Sequence, residues 1–399
     1  MGMSKEQSPL WQVVALTDYA LPKGSQPAAL RYSWRTLLQR LRTGQDTVAA
    51  STEESGDCWP ALSALQRTSV APRITWHAAA HALQQVLAEE AYPLALLVTP
   101  PGVDRRQILT QLAAALALEE RLPPSREQIL QEQLTWLGES WETTTPWVLI
   151  ELERCFLRHT HGLTLLRALL GKALAGELGR GVIGCDSWAW AYLQHLFPLA
   201  SVRPLTLQAF DGERLGSYLE SAPLVSSSAI RFYDSESSKP LFSRASDQPE
   251  SPLLVAKAVT QLAIHCRGNL AIAWHHWCHR LAAEPPTAEQ AKAKAIADGL
   301  PDGTTPIWLA PERDKRRLPA EVGEEMLFLL HTLLLHNGLE RDLLAELLPA
   351  SDSTLTTLLL HLAALGVVQR DQELWRVAPL AYPEVRQLLA THSYLLDPF

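Results

Sequence analysis

Apolar and polar residues alternate in blocks between residues 92 and 207. Four blocks are short and almost wholly apolar: 94–98, 147–150, 181–185 and 202–207. Amphipathic spacing fills the intervals between them and predicts helices over residues 105–120, 125–137, 164–178 and 188–196. Short apolar strands separated by helices predict an α/β domain, in which a parallel sheet is flanked by helices and buried on both faces.

More polar stretches surround this block. Residues 1–70 predict an N-terminal extension with a helix over 32–42 and a flexible loop over 43–57, followed by a helix over 75–90. Residues 221–250 are serine-rich and predict a flexible insertion. Helices are expected again over 253–266 and 270–281, before a proline-containing linker over 285–319.

The last segment has a different order of elements. Helices are predicted over residues 324–336, 340–348 and 353–365, two short strands follow around a turn at 371–373, and a final helix covers 383–391. Three helices followed by a hairpin are typical of a winged helix. With 399 residues, we therefore expect five segments: an extension (1–70), an α/β domain (71–220), an insertion (221–250), a helical lid with linker (251–318) and a winged-helix domain (319–399).

The stretch LALLVTPPGVDRRQIL, residues 94–109, has the strand, turn and helix start of a phosphate-binding loop. Its TPPGVDRR segment resembles the GPPGxGKT loop of AAA+ ATPases. Thr99 and Asp104 stand where that loop has glycines, Arg105 replaces the lysine, and Arg106 replaces the hydroxyl that holds Mg²⁺. The resemblance makes these the nucleotide-binding candidates: Pro101, Gly102, Val103, Asp104, Arg105 and Arg106.

These replacements predict a loop that does not support magnesium-dependent hydrolysis. A carboxylate at Asp104 repels phosphate, and Arg106 offers no oxygen to a metal. The helix start still favours an anion, so ATP or ADP remain possible ligands although no cofactor is expected with any specificity. The alternative is that this stretch is an ordinary strand, turn and helix of another α/β fold.

Acidic and polar residues follow two later strands. Glu151 and Glu153 come after the strand at 147–150, and their acid–Leu–acid–Arg–Cys order is similar to that of KAP-type P-loop NTPases, which makes both Walker B-like candidates. Asp186 and Ser187 end the next strand, where AAA+ proteins place a polar sensor. Arg267 precedes a glycine in a turn similar to the lid of AAA+ and STAND ATPases. A solvated helix end and a surface arginine are the alternatives.

The order of these features, over residues 75–395, resembles ATPases with a C-terminal winged helix, including origin-recognition-like and STAND proteins. The resemblance implies a nucleotide site at the loop and a helical lid behind it. Because the loop is altered, we expect a non-catalytic or weakly active relative that serves as an interaction or scaffold subunit. An ATP-dependent switch with a divergent site is one alternative.

The distribution of charge favours protein partners over DNA. The chain carries a net charge of −8, and from Glu321 onward it has eleven acidic and four basic residues. The third helix of this segment has no lysine or arginine, so its phosphate affinity should be low. We expect protein partners, through the winged helix, the lid or the N-terminal extension. The other alternative is a DNA-associated factor that uses the basic cluster Arg313, Lys315, Arg316 and Arg317.

Metal, disulfide and membrane chemistry find little support. The five cysteines are scattered without a CxxC pair, which argues against zinc or a disulfide framework. His275 and His279 have metal-ligand spacing, but the sequence indicates no third ligand. No apolar run is long enough to span a bilayer and the first residues do not resemble a signal peptide, so we expect a cytoplasmic protein without membrane insertion.

Overall fold

A computed structural model describes most of the chain. The described residues are 10–24, 62–89, 93–138, 141, 145–197, 199, 202–223, 229–244, 253–283, 300, 304–311, 318–319 and 322–399. The predicted helix at 32–42, the predicted loop at 43–57 and the basic cluster Arg313, Lys315, Arg316 and Arg317 lie outside these ranges.

The strands and helices are numbered in chain order. The strands are β1 (Val13–Ala15), β2 (Leu94–Thr99), β3 (Glu119–Arg121), β4 (Trp147–Leu149), β5 (Gly181–Asp186), β6 (Leu205–Leu207), β7 (Ala229–Asp234), β8 (Phe242–Arg244), β9 (Leu253–Val255), β10 (Leu281–Ala282), β11 (Thr304–Leu309), β12 (Leu339–Glu340), β13 (Val368–Asp371) and β14 (Leu374–Val377). The helices are α1 (Ala64–Val70), α2 (His77–Glu89), α3 (Arg105–Leu116), α4 (Arg126–Leu130), α5 (Thr164–Leu174), α6 (Ser187–Leu196), α7 (Gly212–Ser221), α8 (Lys257–His265), α9 (Leu270–Arg280), α10 (Glu324–Leu335), α11 (Arg341–Leu347), α12 (Asp352–Ala364) and α13 (Tyr382–Thr391).

The chain divides into two compact units. The first, here the sheet unit, comprises Met1–Ala20, Thr75–Gln208 and Lys315–Phe399, and the second comprises Leu21–Ile74 and Ala209–Asp314. The sheet unit therefore combines residues 75–208 of the predicted α/β domain (71–220) with the C-terminal segment, whereas residues 209–220 belong to the second unit. None of the helices within the described ranges is both long and apolar enough to cross a membrane.

The sheet unit is built on six strands in the order β1-β6-β2-β5-β4-β3. The pairs among β6, β2, β5, β4 and β3 are parallel, and only β1 joins antiparallel, at the β6 edge. This confirms the predicted α/β class with a largely parallel sheet flanked by helices. The central strands β2, β4 and β5 are buried along nearly their whole length, as their apolar composition requires.

The first residues of β4 and β5 pack tightly against each other. The Trp147 ring lies over Gly181, where an added Cβ would come within 2.3 Å of the ring. The indole N–H of Trp147 donates to the carbonyl oxygen of Leu178 at 2.8 Å, so this buried polar group is satisfied. Because β2, β5 and β4 pair in parallel, their carboxyl ends lie side by side at one edge of the sheet.

The C-terminal elements follow the predicted order of three helices, a hairpin and a last helix. Strands β12, β14 and β13 form a small antiparallel sheet beside α10, α11 and α12. Helix α10 packs against α6, and α13 packs against α10, so these elements share the core of the sheet unit. Their assignment as a winged helix stays a prediction, as does the five-segment division.

The second unit differs from the sequence expectation. Residues 221–250, predicted as a flexible insertion, contain β7 and β8, and the predicted linker at 285–319 contains β11. Strands β7 and β11 pair in parallel and bury Phe232 and Trp308. The composition of these stretches is polar on average, but their apolar residues are concentrated in strand-length runs that lie far apart in the sequence and pair in the fold.

Smaller corrections concern the sheet unit. The predicted helix at 125–137 is the short α4 followed by a 3₁₀ turn, Leu134–Leu137. The predicted helix at 105–120 ends at Leu116, because Ala117 adopts a left-handed conformation with φ of 51°. Edge strand β3, of sequence Glu-Glu-Arg, then follows. No apolar pattern marks this strand, since most of its surface faces solvent.

Candidate functional site

The loop between β2 and α3 closes on itself. The N–H of Val103 donates to the carbonyl of Pro100 at 3.4 Å, and Gly102 takes a φ of 85°, which glycine adopts without a steric penalty. The Arg105 N–H donates to the Val103 carbonyl at 2.8 Å. Pro101 and Val103 are half-buried and Gly102 is exposed. Two N–H groups that could face an anion are thus used inside the loop.

Asp104 caps the helix that follows. Its Oδ1 accepts a hydrogen bond from the Gln107 N–H at 2.9 Å, as N-cap carboxylates commonly do. The Asp104 carboxylate thus lies at the helix N-terminus, where the helix dipole would otherwise favour a phosphate. The sequence placed Asp104 facing a possible ligand, and the structure gives it a local partner instead.

Arg105 is buried and points into the protein. Its Nε donates to the Ile150 carbonyl at 2.9 Å, its Nη1 donates to Thr99 Oγ1 at 3.0 Å, and its Nη2 forms an ion pair with Glu153. Burial disfavours the charge, but the neighbouring carboxylates of Glu153 and Asp186 hold the pKa of Arg105 above its usual value. The guanidinium is therefore a fixed internal cation.

Gly184 of β5 makes room for this side chain. A Cβ at this position would lie 2.6 Å from Arg105 Cδ and 2.4 Å from the Ile150 carbonyl oxygen. This position in β5 must consequently be glycine if the Arg105 side chain is to reach the Ile150 carbonyl and Glu153. The sequence did not indicate either residue as a partner of Arg105. Gly184 is far from Arg105 in the sequence, and Thr99 is a common residue at the end of a strand.

Glu153 and Asp186 complete the Arg105 cluster, which comprises Thr99, Arg105, Glu153 and Asp186. Only 1% of Glu153 is exposed, and its Oε2 accepts from the Asp186 N–H at 3.2 Å. Asp186 caps α6 by accepting from the Trp188 N–H at 3.0 Å. Burial, together with the negative charge of Glu153, raises the pKa of Asp186 well above its usual range. The buried guanidinium of Arg105 is thus surrounded by two buried acidic side chains, of which Glu153 is its ion-pair partner.

A second, exposed network lies beside the first. Arg106 donates to Glu151 at 2.9 Å and to Glu120 at 3.0 Å, and Arg154 contacts Glu151 at 3.3 Å. Burial opposes ionisation of Glu151, but the hydrogen bond from Arg106 and the arginine charges prevail and lower its pKa. The two Walker B-like candidates thus have different roles: Glu153 neutralises a buried arginine, and Glu151 belongs to a surface ion-pair network.

C-terminal elements cover the ends of β4 and β5. His336, directly after α10, approaches the Glu153 carbonyl with its Nδ1 at 3.5 Å. Asp397 is buried and accepts from Ser187 Oγ at 2.9 Å and from the Arg386 guanidinium at 2.9 Å. Tyr382 accepts a hydrogen bond from the Trp188 indole at 3.1 Å. Sequence reasoning missed these contacts, since all of them except Arg386–Asp397 join residues 183 to 210 positions apart.

Arg267 lies in the second unit, in the turn between α8 and α9. It adopts a φ of 53°, and Gly268 after it has a φ of 76° and packs so closely that a Cβ would lie 2.6 Å from Ala209 Cβ. Asn269 then caps α9. The glycine is required by this helix-to-helix turn, and a nucleotide contact by Arg267 stays a prediction. Within the described residues, no group of three or more His, Cys, Asp or Glu side chains could hold a metal.

Comparison with known proteins finds similarity in backbone structure but not in sequence. No family model and no curated protein matches the sequence. A Walker-type ATPase of Pyrococcus abyssi is 12% identical, with 79% of this chain and 96% of that chain covered and a TM-score of 0.31. The RuvB Holliday junction branch migration motor of Thermotoga maritima is 13% identical, with 80% and 95% covered and a TM-score of 0.30. Similarities at this level establish neither a shared ligand nor a shared activity.

Proposed function

We propose that this chain is a non-hydrolysing relative of P-loop ATPases that acts as an interaction or scaffold subunit of a larger assembly. The observation that carries the proposal is the buried ion pair between Arg105 and Glu153. In a working loop the corresponding cation faces the phosphates and the acid faces the hydrated metal. Here each satisfies the other inside the protein, so neither is available to a ligand.

The remaining parts of the loop support the same conclusion. The cap by Asp104 and the internal hydrogen bonds of the Val103 and Arg105 N–H groups occupy donors that a phosphate would need. Arg106 brings a positive charge to the position of the metal-holding hydroxyl and is paired with Glu151. Binding of Mg-ATP would require these bonds to break before any new bond formed.

In a chain that binds no nucleotide, Arg105 supplies the positive charge that the buried carboxyl groups need. A cluster of buried carboxyl groups without a cation would be destabilising, because charges removed from water need partners. Arg105 supplies that charge within the chain, at 4% exposure. The sheet unit therefore does not depend on bound nucleotide or metal for neutralisation at the ends of β4 and β5, which suits a subunit with a purely architectural role.

Nucleotide-dependent stabilisation tests this proposal. Freshly purified protein is examined for bound nucleotide, and its melting temperature is then measured with ATP, ADP and neither, each with and without Mg²⁺. Nucleotide at 100 times its Kd would stabilise the fold by about 2.7 kcal/mol. We expect no shift at millimolar nucleotide and no release of phosphate.

Two variants make the result decisive. Glu151→Gln alters the surface acid and leaves the Arg105 cluster intact, and Arg106→Ala removes the paired cation. Magnesium-dependent hydrolysis in the wild type that Glu151→Gln removes would overturn the proposal. Saturable stabilisation by nucleotide without hydrolysis would instead favour the ATP-dependent switch.

A further inference from the structure

Helix α12 presents one face to solvent that lacks the usual charged residues. Its core side is formed by Leu355, Leu359 and Leu362, which are buried. The opposite side, here the outer face, consists of exposed residues: Ser353, Thr357, Leu360, His361 and Ala364. Leu360 is 59% exposed, among the highest values for a large apolar residue in the described chain.

This composition is unusual for a solvated helix. A helix with one face in water normally carries charged side chains there, because they keep the surface hydrated. The only Asp, Glu, Lys or Arg of α12 is Asp352, at its first position. Small side chains at Ser353, Thr357 and Ala364 also allow another backbone to approach closely around Leu360. Both properties favour contact with a protein element along the helix, which is about 20 Å long at 1.5 Å per residue.

The surroundings of the outer face are acidic. Between Glu340 and Val377 there are six acidic and three basic residues. Each of the three arginines already contacts an acid: Arg341 pairs with Asp352, Arg370 with Glu373, and Arg376 with Asp371. Glu346 in turn pairs with Arg126 of α4, so an excess of two negative charges is left around the uncharged outer face. That field attracts a basic partner and repels the phosphates of a nucleic acid.

We propose that the outer face of α12 is the docking surface for a basic amphipathic helix of a protein partner. Leucine or a similar side chain of that helix would pack beside Leu360, and its lysines or arginines would face the acids of α11, α12 and the β13–β14 turn. This follows the general mode in which an amphipathic helix lays its apolar side on an apolar surface. The inference rests on the proposed function as an interaction subunit and adds the surface and the chemistry of the partner.

Selection from a random-peptide display library tests the surface. The full chain is the target, with depletion on the Leu360→Gln variant, and enriched peptides of about 16 residues are then synthesised and measured by fluorescence anisotropy. We expect enriched sequences with net positive charge and apolar residues at helical i, i+3, i+4 spacing. Leu360→Gln should weaken their binding by about tenfold to a hundredfold, the range expected for one buried leucine.

Leu254→Gln is the matched control, because Leu254 is 53% exposed and lies on a strand of the second unit. It should leave the affinity unchanged. The proposal is overturned if enriched peptides carry no excess of basic residues, if both variants bind alike, or if duplex DNA binds at the same face and Leu360→Gln removes that binding. Concentration-dependent dimerisation lost in Leu360→Gln would overturn it in favour of a second copy.

Failure of this inference and failure of the proposed function are distinguishable. A chain that hydrolyses Mg-ATP and still selects basic peptides through Leu360 would refute the non-hydrolysing role alone. A chain without nucleotide binding that selects nothing at this face would refute the docking surface alone.

Discussion

Arg105 and Glu153 form an ion pair in the interior of the sheet unit, with the guanidinium also bonded to Thr99 and to the Ile150 carbonyl. One residue begins α3 and the other follows β4, so the pair joins the two segments that define the candidate site. The Arg105 guanidinium is thereby part of the core. The predictions below follow from this buried ion pair and from the C-terminal elements packed over the ends of β4 and β5.

Removing one partner of this pair should be costly. Arg105→Met leaves Glu153 buried without a cation, and we expect a loss of about 3–5 kcal/mol in the free energy of unfolding. The double variant Arg105→Met with Glu153→Leu should recover much of that loss. Urea denaturation measures both, with the exposed Arg106→Ala as a control expected to cost less than about 1 kcal/mol. Equal losses for Arg105→Met and Arg106→Ala would contradict the structure.

Gly184 should tolerate no side chain. Gly184→Ala places a methyl group against Arg105 Cδ and the Ile150 carbonyl oxygen, so we expect a loss of about 2–3 kcal/mol. Gly171→Ala is the matched control, because an added Cβ there meets no atom within 4 Å on helix α5. That variant should instead gain about 0.5–1 kcal/mol. Thermal or urea unfolding distinguishes the two signs.

Asp104 should contribute to stability as a helix cap. Asp104→Ala removes the acceptor for the Gln107 N–H and should cost about 1 kcal/mol, whereas Asp104→Ser retains an acceptor and should cost less. If Asp104 instead existed to repel or bind a ligand, the two variants would have similar stability. Chemical denaturation of both variants gives the comparison.

Asp397 should be the principal polar anchor of the C-terminal elements. Its side chain accepts hydrogen bonds from Ser187 and Tyr382 and pairs with Arg386. Asp397→Ala leaves a largely buried arginine without its carboxylate, so we expect a loss of about 3 kcal/mol or more. The exposed acid Asp352, paired with Arg341, supplies the control: Asp352→Ala should cost less than about 1 kcal/mol. Urea unfolding of the full chain provides the values.

Acid should destabilise the sheet unit through His336. Burial, with the charge of Arg158 acting in the same direction, lowers the pKa of His336 from 6.5 to about 4. Between these values the unfolded chain binds a proton that the folded chain does not, so stability falls as pH falls from about 6.5 towards 4. His331 is shifted in the same way, again to about 4, by burial and Arg158.

Asp186 contributes to the pH dependence in the opposite direction to His336. Its raised pKa means that its proton stabilises the folded chain at low pH, and that stabilisation is lost as pH rises. A His336 variant therefore isolates the histidine contribution. Wild type is therefore compared with His336→Gln at pH 7 and pH 5. The variant should lose about 2 kcal/mol less than wild type over this interval. Parallel losses would show that His336 does not titrate as expected.

Much of the architecture could be predicted because it depends on local patterns. The apolar runs that became β2, β4 and β5 were predicted within a residue, since burial on both faces requires that composition, whereas the helix predicted over 125–137 is the short α4. The C-terminal order of three helices, a hairpin and a last helix was likewise predicted from local patterns in the sequence. Strands β7 and β11 were missed, because 229–234 and 304–309 find their pairing partner about 75 residues away in the sequence.

For the candidate site, the sequence determined which residue types the loop contains: a turn at Pro100, Pro101 and Gly102, with no lysine and no metal-holding hydroxyl. From these residue types we predicted a loop that does not support magnesium-dependent hydrolysis, and this stays a prediction. Only the tertiary structure decided that Arg105 turns inward to Glu153, that Gly184 admits it, and that Asp397 and His336 cover the strand ends. A side chain's direction depends on which partners the folded chain brings within hydrogen-bond distance, and those partners are 45 to 210 residues apart in sequence.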